Sequence, residues 1–323
     1  MSELIGISPS EQIARAMEVL GDRAWTHRSL AAFTTYRLGG PAAVFVDAHN
    51  LNDLYAVAEA QTASGLAVLV VGRGSNLLID DAGFHGIALR LAEGFDQIAA
   101  VGTPDDRDRG GTCRLRVGAA VALPVLARRT AAMGVRGMEW AVGVPGSVGG
   151  AVRMNAGGHG SDMAASLISA EVFNFATRKV DERGVADLGL RFRGSDLTDD
   201  EVVLSVVIEL EPGSVEASTA KIAEIVQWRR EHQPGGHNCG SVFVNPIPGQ
   251  LSAGELIDRC GLRGARLGGA VVSLKHANFI QAEESATAAD VRALIEHVRE
   301  VVEEKTGITL RSEVRIIGPT VAQ

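Results

Sequence analysis

Two glycine-rich stretches carry the residue types and spacing that point most directly to ligand binding. The first, residues 70–78 (VVGRGSNLL), ends an apolar run in a Gly-x-Gly-Ser-Asn turn. Such a turn can direct consecutive backbone N–H groups at a phosphate. It is not a GxGxxG dinucleotide motif, because Leu77 occupies the third glycine position, and it lacks the Gly-Lys-Ser/Thr ending of a Walker loop. A tight turn that needs positive φ explains this stretch alone equally well.

The second stretch comprises residues 143–151 (GVPGSVGGA) and 155–160 (NAGGHG). Pro145 fixes the direction in which the chain enters it, and the glycines that follow carry a high cost in conformational entropy. Packing alone does not explain why the chain would carry this entropic cost. The stretch therefore indicates a backbone that wraps around a flat or anionic ligand. Two such loops, separated by roughly 70 residues, suit a dinucleotide with a pyrophosphate better than a mononucleotide.

Several polar residues elsewhere are ambiguous when they are taken one at a time. Ser241 lies in GSVFVNP, which lacks the Gly-x-Ser-x-Gly elbow of a serine hydrolase. Taken alone, it is better explained as a hydrogen-bonding turn residue before a buried strand. Arg193, in RFRGS, is compatible with an ordinary surface arginine. Glu313 begins an apolar strand, where a carboxylate is either paired or functional. Lys275 and His276 precede a further predicted strand and are also ambiguous alone.

A metal site is disfavoured. His232, His237 and Cys239 lie close together, but their Gly/Pro-rich loop supplies no fourth ligand at a usual spacing. Cys239 is therefore interpreted as a packed small residue rather than a ligand or nucleophile. The chain has three cysteines, too few and too scattered for a disulfide framework, which indicates a reducing compartment.

Charge and hydropathy exclude two classes of partner. The chain has 31 Lys and Arg against 39 Asp and Glu, a net charge of −8, with no basic cluster interleaved with aromatics. Nucleic acid would be repelled by that average field. The longest apolar run, residues 66–71, is about six residues, far below the ~20 that a membrane span needs. No secretory signal pattern opens the chain. We therefore expect a soluble, cytoplasmic protein with no nucleic-acid partner and no membrane insertion.

Helices and strands alternate without a regular βαβ period, which predicts an α+β fold rather than a doubly wound sheet. Ser8, Pro9 and Glu11 form a capping signal for a helix that runs to about Leu20. Further helices are predicted at residues 51–62, 123–133, 215–232, 253–260 and from a Thr287 cap to 304. Strands are predicted at 43–47, 67–71, 87–91, 113–117, 170–175, 202–210, 241–244, 278–281 and 313–317. A polar turn is predicted at 177–183 and a hairpin loop or disordered tip at 104–111. The predicted domain boundary is Pro212-Gly213.

The order of the motifs is more specific than any one of them. Along the chain they are TTYRLGGP (34–41), GRGSNLL (72–78), PGSVGG (145–150) with NAGGHG (155–160), FRGS (192–195), GSVFVNP (240–246), KHANF (275–279) and EVR (313–315). In this order and approximate spacing the sequence resembles the UDP-N-acetylenolpyruvoylglucosamine reductase (MurB) family over about residues 30–318. There is no sign of the tyrosine-bearing insertion of one subtype after Leu210, so the chain resembles the shorter subtype.

The resemblance implies a fold and a division into domains. The fold is α+β, with a two-lobed FAD-binding portion of the vanillyl-alcohol-oxidase/PCMH type and a smaller α+β substrate domain. The expected domains are 1–29 (N-terminal helix and lead-in), 30–212 (FAD-binding, lobes at about 30–91 and 92–212), 213–311 (substrate-binding) and 312–323 (a C-terminal strand that returns to the first lobe).

The resemblance also implies a reaction with NADPH and a nucleotide sugar as its small-molecule partners. NADPH passes a hydride to non-covalently bound FAD, and the reduced flavin delivers it to the enolpyruvyl ether of UDP-N-acetylglucosamine, giving UDP-N-acetylmuramate for peptidoglycan synthesis. Arg193 and Glu313 would stabilise the negative charge that develops on the carboxylate, for which Glu313 must be protonated or share a proton. Ser241 would deliver a proton to the adjacent carbon.

The remaining site residues are carried over to the positions that match the family motifs. The expected FAD-binding residues are Gly72, Arg73, Gly74, Ser75, Asn76, Leu77, Pro145, Gly146, Ser147, Gly149, Gly150, Asn155 and Gly157. The expected substrate-binding residues are His159, Arg229 or its neighbour Arg230, Asn245, Lys275 and His276.

Three positions depart from the family pattern. Phe192 replaces a usual tyrosine, Val244 replaces a common basic residue, and His159 stands where tyrosine is frequent. None is one of the three catalytic positions, so an active enzyme is expected. Two alternatives stay open: another FAD oxidoreductase of the same fold acting on a sugar or alcohol, and a non-catalytic nucleotide-sugar-binding protein.

Overall fold

The structure is a computed structural model, and it describes residues 7–101 and 111–319. The chain forms two compact units. Unit 1 contains the described residues of 1–26, 44–73 and 86–229, and unit 2 contains those of 27–43, 74–85 and 230–323. Each unit is therefore assembled from segments that are far apart in the sequence. The loop predicted at 104–111 lies, except for its last residue, outside the described residues.

Seven helices occur in the described ranges, and three of them begin with reciprocal capping bonds. They are α1 (Pro9–Leu20), α2 (Leu51–Ser64), α3 (Leu123–Ala132), α4 (Val148–Met154), α5 (Val215–His232), α6 (Ala253–Arg259) and α7 (Ala288–Thr306). At the start of α1, the Ser8 hydroxyl accepts the Glu11 N–H at 3.3 Å, while Glu11 reaches back to the Ser8 N–H. α2 and α7 have the same capping box, which satisfies N–H groups that a helix leaves unpaired.

The strands form three sheets and two isolated pairs. They are β1 (Ala24–Ser29), β2 (Pro41–Ala48), β3 (Val68–Val70), β4 (Leu77–Ile79), β5 (Phe84–Leu91), β6 (Ile98–Val101), β7 (Cys113–Gly118), β8 (Val135–Arg136), β9 (Gly157–Gly158), β10 (Ser161–Asp162), β11 (Leu167–Asn174), β12 (Lys179–Gly184), β13 (Glu201–Pro212), β14 (Arg266–Leu267), β15 (Ala270–Val272), β16 (Ile280–Ala282) and β17 (Arg315–Ile317). The orders are β1-β2-β5-β3, β12-β11-β13-β7-β6 with β8 also on β13, β14-β15-β16, β9-β10 and β4-β17.

The longest strand, β13, organises the larger sheet of unit 1. It pairs antiparallel with β11 on one side and with β7 on the other. Its first eight residues are all buried, as expected for an apolar run that is covered on both faces. Leu115 and Ile208 from this sheet pack with Leu126 of α3 and Val152 of α4 in one core. This core holds the second glycine-rich stretch against a sheet.

The smaller sheet of unit 1 leads into the first glycine-rich turn. β3 runs parallel to β5, with Val68 opposite Ile87. Leu54 and Val57 of α2 share a core with Ile87 and Leu89. Because β3 ends at Val70, the chain leaves a packed sheet immediately before Gly72.

Unit 2 is built on α7. Leu294 and Val298 of this helix pack with Val272 and Ile280 of the small antiparallel sheet. In the same unit, β17 pairs in parallel with β4, with Arg315 opposite Leu77. The C-terminal strand therefore lies beside the end of the first glycine-rich turn.

Most predicted elements are present, and the helix predicted at 215–232 begins and ends at those residues. One prediction is wrong: residues 241–244 form no strand, and only Phe243 makes an isolated bridge, to Ser312. The polar turn predicted at 177–183 is shorter, because β12 begins at Lys179. The prediction also missed α4, which lies inside the second glycine-rich stretch, and β4, which follows the first.

The domain boundaries predicted from the sequence stay predictions. α5 lies almost wholly in unit 1, whose last residue is Arg229, and its Ile222 and Ile225 pack into that unit's core. No helix of the described part of the chain is long and apolar enough to cross a membrane.

Candidate functional site

The turn at residues 72–76 presents a run of backbone N–H groups. Val71 makes the last strand bond, to the carbonyl of Leu89 at 2.7 Å. Within the described residues, none of the five N–H groups from Gly72 to Asn76 donates to a protein acceptor. Gly74 has φ +56°, and a Cβ there would lie 2.2 Å from the carbonyl oxygen of Phe33, so only glycine fits. The turn thus offers consecutive backbone donors that have no acceptor in the part of the chain that the structure describes.

Ser147 contributes to the same turn from the second glycine-rich stretch. A Cβ on Gly72 would lie 2.7 Å from the Ser147 Oγ, so the missing side chain is what allows this approach. Ser147 is buried and caps α4, accepting the Gly150 N–H at 3.4 Å. The structure therefore brings together two segments that the sequence assigned to one cofactor.

The backbone of residues 146–149 is largely occupied by the protein itself. The N–H groups of Val148 and Gly149 donate to the carbonyls of Val121 and Ala119, both at 2.9 Å. A Cβ on Gly149 would lie 2.9 Å from that of Ala119, so close packing accounts for this glycine. Among the described residues, the N–H groups of Gly146 and Ser147 have no protein acceptor. The donors of this loop that remain for a ligand are those two.

Asn155 connects the end of α4 to the β9–β10 hairpin. It is buried and ends α4 in a left-handed conformation, with φ +38°. Its Oδ1 accepts the Ala164 N–H at 3.0 Å, and its Nδ2 donates to Asp162 at 3.1 Å. A Cβ on Gly157 would lie 2.5 Å from the Asp162 Cβ. Asn155 and Gly157 thus hold the hairpin in place, whatever else they contact.

Arg193 lies in a tight turn whose ends exchange two backbone hydrogen bonds, between Arg191 and Gly194 at 2.9 and 3.1 Å. Arg193 has φ +54°, which is strained for a residue with a side chain. Its Nη2 donates to the carbonyl of Gly157 at 3.1 Å, and its guanidinium carbon lies 4.8 Å from the centre of the exposed Phe192 ring. The cation is therefore held by the hairpin and by the neighbouring ring.

His159 and Arg229 meet beside Gly143. A Cβ on Gly143 would lie 3.2 Å from the Arg229 Cδ and 3.4 Å from the His159 Nε2. Partial burial lowers the pKa of His159, and the positive charges of Arg229 and Lys221 lower it further. Burial also lowers the pKa of Arg229, although a guanidinium stays charged at neutral pH. At neutral pH the pair therefore consists of a neutral imidazole and a cation.

In unit 2, Asn278 holds the segment that contains Ser241. The Asn278 carbonyl accepts the Val242 N–H at 2.9 Å. Its side chain accepts the Phe243 N–H at 2.9 Å and donates to the Phe243 carbonyl at 2.8 Å. Asn278 is buried, yet the sequence interpretation noted it only as part of KHANF. An asparagine in an apolar context, two residues before a strand, was the available signal.

Glu313 lies on a segment next to that of Ser241. Its N–H donates to the Val242 carbonyl at 2.7 Å, and its own carbonyl accepts the side-chain amide of Asn76 at 2.9 Å. The first glycine-rich turn is thus tied to the Glu313 backbone, which in turn is tied to the residue after Ser241.

Cys239 is not placed for nucleophilic chemistry. Burial raises the pKa of its thiol to about 12. The buried Tyr36 lies against this thiol, and burial and then Cys239 raise the pKa of its phenol well above 10.0. A neutral thiol against a neutral phenol is a packing contact, as the sequence interpretation expected for Cys239.

The three substrate candidates of unit 2 have defined contacts. The Asn245 Oδ1 accepts the Ala253 N–H at 3.1 Å, which leaves its amide NH₂ as donor. The Lys275 Nζ donates to the carbonyl of Arg230. The His276 Nδ1 accepts the Asn278 N–H at 3.2 Å, so a neutral ring carries its proton on Nε2. Burial, and then Arg263, lower the pKa of His276.

Some of the predicted site residues are brought together within a unit. Unit 1 contains Gly72, Arg73, the residues from Pro145 to His159, Arg193 and Arg229, and unit 2 contains Gly74 to Leu77, Ser241, Asn245, Lys275, His276 and Glu313. Among the described residues, no group of three or more His, Cys, Asp or Glu side chains could hold a metal ion.

Two family models match the chain. Residues 42–180 match an FAD binding domain, and residues 232–317 match the C-terminal domain of UDP-N-acetylenolpyruvoylglucosamine reductase. A relative named UDP-N-acetylenolpyruvoylglucosamine reductase, from Halalkalibacterium halodurans, is 36% identical over 311 residues, which cover 95% of this chain and 99% of the relative. One of the same name from Synechococcus sp. is 40% identical over 296 residues, 90% of this chain and 91% of that one. The chain belongs to the UDP-N-acetylenolpyruvoylglucosamine reductase family.

A solved structure supports the same assignment. That of UDP-N-acetylenolpyruvylglucosamine reductase (MurB) from Thermus caldophilus is 32% identical, with a TM-score of 0.75 over 91% of this chain and 97% of that chain. The predicted resemblance to the reductase family and the predicted α+β fold class are confirmed. FAD, the cofactor predicted from the resemblance, agrees with the matched FAD binding domain. The two alternatives, another FAD oxidoreductase acting on a sugar or alcohol and a non-catalytic nucleotide-sugar-binding protein, are not favoured.

Proposed function

We propose that this chain catalyses the NADPH-dependent reduction of UDP-N-acetyl-3-O-(1-carboxyvinyl)glucosamine to UDP-N-acetylmuramate, which supplies peptidoglycan synthesis. The observation that carries this proposal is the 36% identity to a named reductase along 99% of its length. We further propose that the reaction takes place in the cytoplasm, with the nucleotide sugar and NADPH as the small-molecule partners.

FAD, when bound, supplies the hydride carrier between NADPH and the substrate. We assign the turn at 72–77 to its pyrophosphate, together with residues 145–150, Asn155 and Gly157. The support is the run of five N–H groups from Gly72 to Asn76, none of which has an acceptor in the described part of the protein. A diphosphate accepts hydrogen bonds from such groups without displacing a protein partner. In the second loop, the Gly146 and Ser147 N–H groups have the same property.

Arg193 meets the main electrostatic demand of the reaction. Addition of a hydride to the vinyl carbon pushes electrons onto the substrate carboxylate, which then carries additional negative charge. A fixed guanidinium stabilises such charge by several kcal/mol in a site from which water is excluded. The hydrogen bond to the Gly157 carbonyl and the contact with Phe192 support a fixed position for Arg193. Glu313 assists only if it is protonated or shares a proton.

Ser241 is the proposed proton donor to the carbon next to the ether oxygen. The supporting observation is the bonding of the residues that follow it: Val242 and Phe243 are both fixed by Asn278. Gly240 has φ +82°, which lets the chain turn immediately before the serine. A hydroxyl on a segment fixed in this way can deliver a proton as a general acid.

The diphosphate of the nucleotide sugar needs cations and neutral donors. We assign this role to Arg229, Lys275, His276 and Asn245, together with His159. The Nε2–H of a neutral His276 and the amide of Asn245 are donors, and the two cations supply charge. The hydrogen bonds cited for these two side chains use their acceptor atoms, the His276 Nδ1 and the Asn245 Oδ1.

Product analysis tests the proposal. The FAD-loaded protein is incubated with NADPH and the enolpyruvyl nucleotide, and the nucleotide is then examined by mass spectrometry. A product heavier than the substrate by two hydrogens is expected, with equal consumption of NADPH. Rapid oxygen consumption with a sugar or alcohol, and no change in the nucleotide, would instead assign the chain to another flavin oxidoreductase activity. No reaction of either kind would point to a binding protein.

A further inference from the structure

The loop that carries Arg193, residues 188–199, is closed by contacts within itself. The Arg191 guanidinium donates to the Asp196 carboxylate and, at 3.1 Å, to the Gly189 carbonyl. The Asp196 N–H donates to the Leu188 carbonyl at 2.9 Å. Gly189 has φ +54°, and a Cβ there would lie 1.9 Å from the Asp196 Oδ2, so a side chain would displace this carboxylate. These contacts fix the shape of the arginine loop.

Ser195 joins the arginine loop to α4. Its hydroxyl donates to the carbonyl of Arg153, in the last turn of α4, at 2.8 Å. The same hydroxyl accepts the Leu197 N–H at 3.4 Å. Ser195 is 8% exposed, so water has little access to these bonds, and Leu197 packs in the core of unit 1. The residue two positions after Arg193 is therefore attached to a helix that packs in that core.

The Arg153 side chain makes a second attachment, further along the same loop. Its guanidinium donates to the Thr198 carbonyl and contacts the Asp199 carboxylate at 2.6 Å. Four residues after Arg153, the Gly157 carbonyl accepts the Arg193 guanidinium at 3.1 Å. The short stretch 153–157 thus holds both the proposed catalytic side chain and the part of the loop that follows it.

Arg193 depends on such attachments because its backbone is strained. Its φ of +54° lies in the left-handed region, which a residue with a side chain keeps only where the surrounding structure enforces it. A change of φ at this residue also changes the direction of its side chain. Loss of the Ser195 hydrogen bond should therefore let the turn relax and move the guanidinium away from the Gly157 carbonyl.

We propose that Ser195 is a positioning residue for Arg193, acting through its hydrogen bond to the Arg153 carbonyl. This inference rests on the proposed function, in which the Arg193 guanidinium contacts the carboxylate of the substrate. Ser195 acts on the ligand only through Arg193. Loss of its hydroxyl should therefore affect nucleotides that carry the carboxylate and spare those that lack it.

Binding of two nucleotides distinguishes positioning from general damage. UDP-N-acetylmuramate carries a carboxylate for Arg193, and UDP-N-acetylglucosamine lacks it. In FAD-loaded protein, Ser195→Ala is expected to weaken binding of the first about tenfold, because hydrogen bonds between charged groups depend on geometry. Binding of the second should be unchanged. Calorimetry measures both. Equal weakening of the two nucleotides, or no change in either, overturns the inference.

Ser169→Ala is the matched control. Ser169 is also 8% exposed, and its hydroxyl donates to Glu182 on the neighbouring strand at 2.7 Å. Both variants lose a hydrogen bond of a buried hydroxyl, so similar decreases in stability are expected. Only Ser195→Ala should lose affinity for UDP-N-acetylmuramate. An equal loss in Ser169→Ala would attribute the effect to destabilisation and overturn the inference.

A double-mutant cycle shows whether Ser195 acts through Arg193. In an Arg193→Ala background, Ser195→Ala is expected to cause no further loss of UDP-N-acetylmuramate affinity. A full additional loss would show that Ser195 acts by another route, which overturns the inference.

The two half-reactions give a kinetic measurement of the same effect. In Ser195→Ala, reoxidation by the enolpyruvyl nucleotide should slow about tenfold or more, since a small displacement of a charge-stabilising group is costly. Flavin reduction by NADPH should keep the wild-type rate. Equal slowing of both steps would contradict a role confined to Arg193.

The proposed function and this inference fail in different ways. If the wild-type protein neither reduces the enolpyruvyl nucleotide nor prefers UDP-N-acetylmuramate, the proposed function fails. Hydrogen exchange of residues 189–199 still tests the attachment: faster exchange in Ser195→Ala than in Ser169→Ala supports it, and equal exchange overturns it. If the wild type reduces the nucleotide and Ser195→Ala keeps its affinity, the inference fails and the proposed function stands.

Discussion

The side-chain amide of Asn278 holds the backbone of Phe243 from both sides. The Oδ1 accepts the Phe243 N–H at 2.9 Å, and the Nδ2 donates to the Phe243 carbonyl at 2.8 Å. Both residues are buried, so water cannot replace either bond without opening the core. The position of the segment after Ser241 therefore depends on a residue 35 positions away along the chain.

Removing the Asn278 amide should destabilise the protein. Asn278→Ala leaves a buried N–H and a buried carbonyl unpaired, for which we expect a loss of about 2–4 kcal/mol in the free energy of unfolding. Asn278→Asp keeps the acceptor for the Phe243 N–H but loses the donor, and it should also be destabilised. Urea unfolding measures both. Asn52→Ala, at an exposed position on α2, is the control and should change the free energy by less than about 0.5 kcal/mol. A neutral Asn278→Ala would contradict this account of the segment.

The aromatic ring of Phe192 should contribute more to the position of Arg193 than the hydroxyl of the usual tyrosine would. The guanidinium carbon lies 4.8 Å from the ring centre, a contact of about 0.5–1 kcal/mol at an exposed site. We expect Phe192→Leu to lower kcat/KM for the nucleotide by roughly two- to fivefold, while Phe192→Tyr keeps the wild-type value or exceeds it. Steady-state kinetics at saturating NADPH provides the comparison. Equal activity of the leucine and tyrosine variants would show that the ring does not hold the arginine.

Glu201 should make the stability of the protein sensitive to acid. Burial alone would raise its pKa, but hydrogen bonds from Arg183, the Thr198 N–H and Asn174 lower it more, from 4.5 to about 2. A carboxylate with a depressed pKa stabilises the folded state above its unfolded pKa, and this contribution is lost as the pH falls through its folded pKa. About 3 kcal/mol should therefore be lost between pH 4.5 and pH 2.

Glu201→Gln tests this pH dependence. The variant cannot ionise at this position, so its free energy of unfolding should be lower than that of the wild type near neutral pH, and the difference should shrink below pH 4.5. Chemical unfolding at a series of pH values gives both curves. Parallel curves for the two proteins would rule out Glu201 as a source of the acid sensitivity.

Ser241→Ala should separate the two halves of the reaction. The variant should retain FAD and be reduced by NADPH at the wild-type rate, because no proton from Ser241 is needed there. It should then fail to be reoxidised by the enolpyruvyl nucleotide, with a loss of roughly a hundredfold or more. Stopped-flow absorbance follows each step. Ser252→Ala, which removes only the cap of α6, should leave both rates unchanged. Normal reoxidation of Ser241→Ala would remove Ser241 as the proton donor.

Local signals explain which parts of the fold the sequence could predict. In α1, α2 and α7 the capping residues lie immediately before the helix and in its first turn. Such signals are local, so they can be recognised without knowing the rest of the fold. α4 was missed because Gly149 and Gly150 are poor helix formers. The structure forms it nonetheless, since Ser147 caps it and the Val148 and Gly149 N–H groups bond to residues 119–121.

The wrong strand prediction at 241–244 has a non-local cause. Val242 and Phe243 are buried, as in a strand. However, the backbone bonds of residues 242–244 go to Asn278, to the Arg311 carbonyl and to the Glu313 N–H. No pattern within the segment records those partners. For the same reason, the order of the motifs pointed to Ser241 and Glu313, whereas Asn278 was noted only within KHANF. Its two side-chain bonds to Phe243 are seen only in the structure.

The central claim is that this chain is a flavin reductase of the enolpyruvyl nucleotide, and an anaerobic titration tests it most directly. The visible spectrum of the FAD-loaded protein is recorded, first after addition of NADPH and then after addition of the enolpyruvyl nucleotide. The account predicts that the yellow colour bleaches with NADPH and returns with the nucleotide. Bleaching without return would contradict the assigned substrate, and a protein that binds no FAD would contradict the account as a whole.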